Sequence, residues 1–209
     1  EALAHDLDIL HGDKAAKIKA LAEAKSRSTG FAMMAYSDLN GQAVSDKGQD
    51  MDRASRDYIK AVKATKKPYI TGPSVSGTNG KLIVIFARPV MENGTLTGIV
   101  YGTMELDALS EMTGNMKFMD TGYVYVADQD GLVLAFQQKP EDVGQLDLTK
   151  SESVKKVDEA RIAAFKEAIS SGRAVSADYR TSDGIDSLAV FTPVHLDGRI
   201  WIAVAAAPK

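Results

Sequence analysis

The segment Asp52-Arg53-Ala54-Ser55-Arg56-Asp57-Tyr58 holds the residue types best suited to gripping a small anion. Arg56 lies two residues before Tyr58, at an expected helix start where backbone N–H groups face outward. A guanidinium beside free amides and an aromatic wall suits a carboxylate, because paired N–H···O bonds match its two oxygens. The same spacing also allows an ordinary surface arginine paired with Asp52 or Asp57. Pro68-Tyr69-Ile70-Thr71-Gly72-Pro73 follows the expected helix.

Other chemistries find little support. His5, His11 and His195 are the only histidines, and none stands at metal-ligand spacing from another. Without cysteine there is no thiolate nucleophile, iron–sulfur cluster or cysteine-bound zinc. No Gly-x-Ser-x-Gly elbow or phosphate-binding loop occurs, and no carboxylate pair stands out as an acid/base couple. Asp128-Gln129-Asp130-Gly131 superficially suggests a calcium loop, but its twelfth position is Lys139 and its glycine comes two places early. It reads as a hairpin turn. A non-catalytic chain with no metal or cofactor is therefore expected.

The 209 residues are 44% hydrophobic and 25% charged, enough to build a core and too apolar for a disordered chain. A net charge of −3 gives no electrostatic case for nucleic-acid binding. No run approaches the roughly 18 apolar residues of a membrane span. The chain opens without methionine inside an expected helix and ends just after a strand, so it reads as a piece of a longer protein.

The elements that would position Arg56 follow from periodicity. Leu3, Leu7, Leu10, Ile18 and Leu21 mark one stripe of an amphipathic helix, roughly 35–40 Å long if continuous to Ala24, with a possible bend at Gly12-Asp13. Six hairpin-type dipeptides follow: Asn40-Gly41, Asn79-Gly80, Asn93-Gly94, Asp130-Gly131, Asp183-Gly184 and Asp197-Gly198. The last two turns of each half are 14 residues apart, and a shift of 104 superposes the pairs. Ser37-Asp38-Leu39-Asn40-Gly41 matches Ala127-Asp128-Gln129-Asp130-Gly131, and Phe86–Val90 resembles Val190–Val194. Helical segments are expected at Arg53–Lys63, with Tyr58, Ile59 and Val62 inward, and at Val154–Ile169, with Val154, Val157, Phe165 and Ile169 inward and Gly172 as its stop. Strands are expected at Lys81–Val90, Leu96–Glu105, Gly122–Asp128, Ser187–Val194 and Arg199–Ala206. Gly94, Gly98 and Gly102 are spaced by four, but Gly98 and Gly102 fall on one of these strands and Gly94 in the turn before it, which argues against a membrane helix-pairing motif. The fold class is α+β: one module type used twice, each an antiparallel sheet with helix packed on it.

These features resemble the double Cache (dCache) extracytoplasmic sensor domains of bacterial chemoreceptors, histidine kinases and cyclases. The residues carrying the resemblance are the first helix, the duplicated module, Arg56-Asp57-Tyr58 and Tyr69-Ile70-Thr71-Gly72-Pro73. Gly80–Val90, Thr121–Asp128 and the closing Trp201-Ile202-Ala203-Val204 add to it. The resemblance implies a stalk helix over 1–30, a membrane-distal, ligand-binding, PAS-like module over 31–112 and a membrane-proximal one over 113–209. It implies a sensing domain outside the cytoplasmic membrane of a bacterial receptor for chemotaxis or two-component signalling. Membrane contact would come only through flanking segments, and a homodimer would form through the first helix.

In amino-acid-binding members the arginine matched by Arg56 meets the ligand carboxylate. Tyr58 stands where tryptophan is expected, and Met51 and Ser74 where pocket tyrosines are expected. The aspartate that would hold an ammonium falls on Thr103, which cannot neutralise a cation. Glu105 shares its strand parity and would serve if the register slipped by two. Alternation places Tyr101 beside Thr103 and, with Ile83, Ile85 and Ala87 assigned to the core, leaves Phe86 and Arg88 toward the pocket. The expected ligand site is Met51, Arg56, Tyr58, Tyr69, Ser74, Phe86, Arg88, Tyr101 and Thr103, for a small carboxylate or an amino acid. The alternative is a ligand-free module for dimerisation or protein contact; a hydrolase using dispersed carboxylates is remote.

Overall fold

The computed structural model describes residues 2–116, 121–150, 158–181 and 183–209. Its contacts divide the chain into two compact units, 1–105 and 106–209.

The first unit opens with a 3-10 turn, Ala2–His5, followed by helices α1 (Leu7–His11) and α2 (Lys14–Ser26). The expected long helix is thus broken, and its longest piece is 13 residues, about 20 Å. Two aspartates cause the break. Asp6 caps α1 by accepting from the Asp8 N–H, and Asp13 caps α2 by accepting from the Ala16 N–H. Between them the Gly12 N–H closes α1 on the Asp8 carbonyl, and a Cβ at Gly12 would lie 2.3 Å from that same oxygen. The joint also resets the stripe: Leu7 is 72% exposed, whereas Ile9 is fully buried.

Seven strands follow: β1 (Phe31–Ser37), β2 (Gln42–Ser45), β3 (Asp50–Asp52), β4 (Tyr69–Ile70), β5 (Ser74–Val75), β6 (Leu82–Glu92) and β7 (Thr95–Glu105). They form one sheet in the order β3-β2-β1-β7-β6-β4, with β5 also on β6. The strand pairings among its described residues are antiparallel. Helix α3 (Asp57–Thr65) lies on one face, burying Tyr58, Ile59 and Val62 against Ala35, Ala87, Ile99 and Tyr101. α1 and α2 cover the other, where Ile9 and Leu21 meet Met34, Val90 and Val100. A bulge between Phe31 and Met33 lets Phe31 join that second face, edge-on to Phe86 at 5.6 Å.

Of the glycines spaced by four, Gly98 and Gly102 belong to this packing. A Cβ at Gly98 would lie 2.4 Å from the Tyr36 ring, and one at Gly102 2.6 Å from the Phe31 ring. Each glycine seats an aromatic side chain of the neighbouring strand.

The second unit begins with α4 (Leu106–Gly114), packed on β8 (Tyr123–Asp128) and β9 (Val133–Ala135). Helix α5 (Glu159–Ser171) and strands β10 (Val175–Arg180), β11 (Asp186–Leu196) and β12 (Arg199–Pro208) complete it. α5 stops at Gly172 in the left-handed region, as expected, and buries Phe165; Val154 and Val157 lie outside the described residues. The strand order β10-β11-β12-β8-β9 repeats the order β4-β6-β7-β1-β2 of the first unit. The duplication read from turn spacing is therefore a duplication of topology. The glycines of all six hairpin dipeptides adopt positive φ, between 73° and 97°.

Candidate functional site

The cavity of the first unit lies on the α3 face of the sheet, beside the helix. Three cross-strand rows cross the α3 face: Ala35–Tyr101–Ala87–Tyr69, Met33–Thr103–Ile85, and Glu105–Ile83–Ser74. Tyr58 and the rest of α3 cover the first row, with the Tyr58 and Tyr101 rings 5.1 Å apart. The other two rows floor a cavity of about 770 Å³. Thr71–Asn79 forms one wall, and the segment from Ser45 to Asp57 supplies further lining residues. The Thr71 wall is pinned at Ile85, whose N–H donates to Thr71 Oγ1 at 3.0 Å and whose carbonyl accepts the Thr71 N–H at 3.0 Å.

Local hydrogen bonds set the arginines. The Arg53 N–H donates to the Gly41 carbonyl at 2.8 Å, the Ala54 N–H to Asp52 Oδ1 at 2.9 Å, and the Arg56 N–H to the Arg53 carbonyl at 3.0 Å. Gly41 permits that approach, since a Cβ there would lie 2.3 Å from Ala54 Cα. These turns delay α3 to Asp57, four residues after the expected start, and make Arg56 its N-cap. Arg56 is exposed and lines the cavity, while Arg53 is partly buried beside it. Arg53 Nη2 lies 3.0 Å from Met51 Sδ. Neither guanidinium pairs with a carboxylate among the described residues, so the anticipated contacts to Asp52 or Asp57 are not made.

The acidic groups of the wall are mostly engaged. Asp46 takes Lys25 of α2 at 3.2 Å and the Met34 N–H at 3.0 Å. Glu105 accepts from Lys81 Nζ at 2.7 Å and Asn79 Nδ2 at 2.9 Å, and the Lys81 bond holds its carboxyl below the ordinary value of 4.5. Asp57 stands in the first turn of α3, next to Arg56. On the floor the buried Tyr101 hydroxyl has no hydrogen-bond partner among the described residues. Burial pushes its pKa up, against the pull of Arg53 and Arg56. Tyr58 is pushed up as well, by burial and then by Tyr101.

Six of the nine expected residues meet here: Arg56, Tyr58, Tyr69, Ser74, Tyr101 and Thr103. Met51 sits in the core behind Arg53. Phe86 and Arg88 face the other way, into a hollow of about 450 Å³ beside Leu3, Arg27 and Phe31. The parity expected for β6 is inverted: Ile83 and Ile85 line the cavity. Because helices cover both faces of the sheet, both sets of alternate residues are largely apolar, and hydrophobicity does not tell them apart. Arg53 was not anticipated. Its position three residues before Arg56, one turn away, is the signal that points to it. No cluster of His, Cys, Asp or Glu suited to a metal occurs among the described residues. The arrangement offers two guanidiniums, a phenol and an adjacent carboxylate, which can hold a small charged molecule.

A family model for dCache_1, described as Cache domain, matches residues 2–209. Methyl-accepting chemotaxis protein PscA of Pseudomonas syringae pv. tomato is 27% identical over 85 residues, which are 41% of this chain and 14% of that protein. The chain thus spans a small part of the length of this curated relative. Among solved structures, the ligand-binding domain of the Pseudomonas fluorescens chemoreceptor CtaA in complex with L-serine matches with a TM-score of 0.74 and 19% identity, over 99% of this chain and 85% of that one. The ligand-binding domain of the Pseudomonas aeruginosa amino acid chemoreceptor PctB in complex with L-Arg matches with a TM-score of 0.71 and 18% identity, over 100% of this chain and 83% of that one. At such identities these structures share the fold.

Proposed function

Since the chain belongs to the dCache family of Cache domains, a family of non-catalytic sensors, we propose that it is the extracytoplasmic sensing domain of a bacterial transmembrane receptor. Its first unit binds a small carboxylate, with an amino acid the favoured form. The observation that carries this reading is the pair Arg53 and Arg56, lining an ample cavity without carboxylate partners among the described residues. Relatives of the same fold solved with L-serine and L-Arg support the amino-acid form. Asp57 gives an ammonium group a partner beside the carboxylate seat, a role Thr103 cannot fill.

In this reading each charge-assisted bond to a guanidinium contributes about 1.5–3 kcal/mol. Tyr58, Tyr69, Ser74, Tyr101 and Thr103 shape the remainder of the seat. Binding biases signalling only if the ligand prefers one arrangement of the Thr71–Asn79 wall and the helices. Asp46 gives that preference a route to α2, because the carboxylate that lines the cavity also holds Lys25. The receptor assembles as a homodimer through its N-terminal helices, with the first unit distal to the membrane.

A thermal-shift screen of organic acids and amino acids tests the reading. A ligand at about a hundred times its dissociation constant adds about 2.7 kcal/mol of stability. Arg56→Ala and Arg53→Ala should each cut the ligand-induced shift while leaving the unliganded melt nearly unchanged. An undiminished shift in both variants would remove the arginines from the site.

A further inference from the structure

The second unit contains an arginine, Arg161, that pairs with no carboxylate among the described residues. Arg161 stands in the first turn of α5, and its Nε and Nη2 both donate to Tyr125 Oη, at 3.1 and 2.9 Å. Its guanidinium carbon lies 5.1 Å from the centre of the Tyr125 ring and 5.3 Å from that of Tyr179. Tyr123 stacks on Phe136 at 5.3 Å, and Phe136 lies 5.2 Å from Tyr125. Among the described residues no carboxylate pairs with Arg161. Burial works against its charge, but the phenols of Tyr125 and Tyr179 outweigh that and raise its pKa.

Tyr179 supplies a second, independent observation. It is 5% exposed, and its hydroxyl has no hydrogen-bond partner among the described residues. The two phenol rings flank the same guanidinium; burial first, then Tyr125, pushes the Tyr179 hydroxyl up, while Arg161 pulls the other way. The balance of groups is lopsided. Tyr125 Oη accepts two N–H groups of Arg161, and its O–H is itself a donor. The guanidinium keeps further N–H groups, and Tyr179 adds another donor. A surplus of donors around one positive charge between aromatic walls suits a single oxyanion with a short apolar tail.

We propose that the second unit carries its own anion site, in which Arg161, Tyr125 and Tyr179 hold a short monocarboxylate against the Tyr123–Phe136 wall. The site is separate in sequence and sheet from the cavity of Arg53 and Arg56.

Titration of the whole chain with sodium propionate, against sodium chloride at matched ionic strength, tests this by thermal shift and calorimetry. Propionate should raise the melting temperature saturably, and a saturable response should persist in Arg56→Ala, which removes whatever the first unit's cavity contributes. Tyr179→Phe removes only the hydroxyl and should weaken propionate at least about tenfold, the loss of one hydrogen bond to a charged group. Arg161→Lys keeps the charge without the fork and should weaken it further. If Arg161→Lys fails to fold, Tyr179→Phe decides alone, because a purely structural tyrosine with an unpartnered hydroxyl would melt no lower and respond unchanged. No saturable response, a response undiminished in Tyr179→Phe, or one abolished by Arg56→Ala would each overturn the proposal.

Discussion

Asp38 and Asp128 make the same hydrogen bonds at the first hairpin of their respective units. Asp38 Oδ1 accepts the N–H groups of Asn40 and Gln42 at 2.9 and 2.8 Å, and Asp128 Oδ1 accepts those of Asp130 and Leu132, both at 3.0 Å. The backbone repeats as well. The N–H of each aspartate donates to the carbonyl four residues on, at 2.9 Å in both, and its carbonyl accepts the N–H of Gly41 or Gly131. One carboxylate oxygen thus replaces the partners that a tight turn denies its amides. Asp38→Ala or Asp128→Ala should cost about 1–2 kcal/mol by denaturant unfolding, whereas Asn, which keeps the acceptor, should cost less. Equal losses for Ala and Asn would show that the side-chain oxygen is not what matters.

The Tyr101 hydroxyl separates stability from recognition. A buried hydroxyl without a partner costs about 1–3 kcal/mol, so Tyr101→Phe should melt no lower than the parent without ligand. With the ligand found by the screen, the same variant should show a smaller shift. A lower melt combined with an unchanged ligand shift would place the hydroxyl in the fold rather than the site.

Acid should loosen the far end of the cavity. Glu105 has a folded pKa below its ordinary 4.5, so its contribution is present above that value and is lost as pH falls through the depressed one. Both partners are partly exposed, which keeps the contribution below about 1 kcal/mol. Glu105→Gln should therefore lower the melt slightly at neutral pH and flatten its fall below about pH 4.5. A variant with an acid limb as steep as the parent's would assign that limb to other carboxylates.

Gly98 has no room for even a methyl group. Gly98→Ala should displace Tyr36 and cost about 1–3 kcal/mol by overpacking, while Gly94→Ala meets no atom within 4 Å and pays only for its φ of 78°. Adding Tyr36→Ala to Gly98→Ala should cost less than the two losses combined. Full additivity would mean that the ring and the glycine do not share the space.

The duplication was legible because asparagine–glycine and aspartate–glycine pairs encode positive φ locally, without help from distant residues. Tyr58, Ile59 and Val62 were legible for a similar reason, as the apolar side of a short helix. Two features were not. Asp6 and Asp13 read equally well as the polar side of one helix or as caps of two, and only their side-chain bonds to Asp8 and Ala16 decide between them. In β6, Ile83 and Ile85 face the cavity while Val84, Phe86 and Val90 face the other side, so alternation runs between two apolar sets. At the site Arg56 was found through its neighbour Tyr58, whereas Arg53, three residues earlier, is set by a long-range bond to Gly41.

Asp46 belongs to two structures at once, since one oxygen is tied to the backbone of β1 and the other to Lys25 on α2. Under the proposed sensing role, a ligand that displaced this side chain would pull on α2 through one ion pair without having to deform the strands. Lys25→Ala should then leave the ligand-induced thermal shift unchanged while cutting the response of the full receptor.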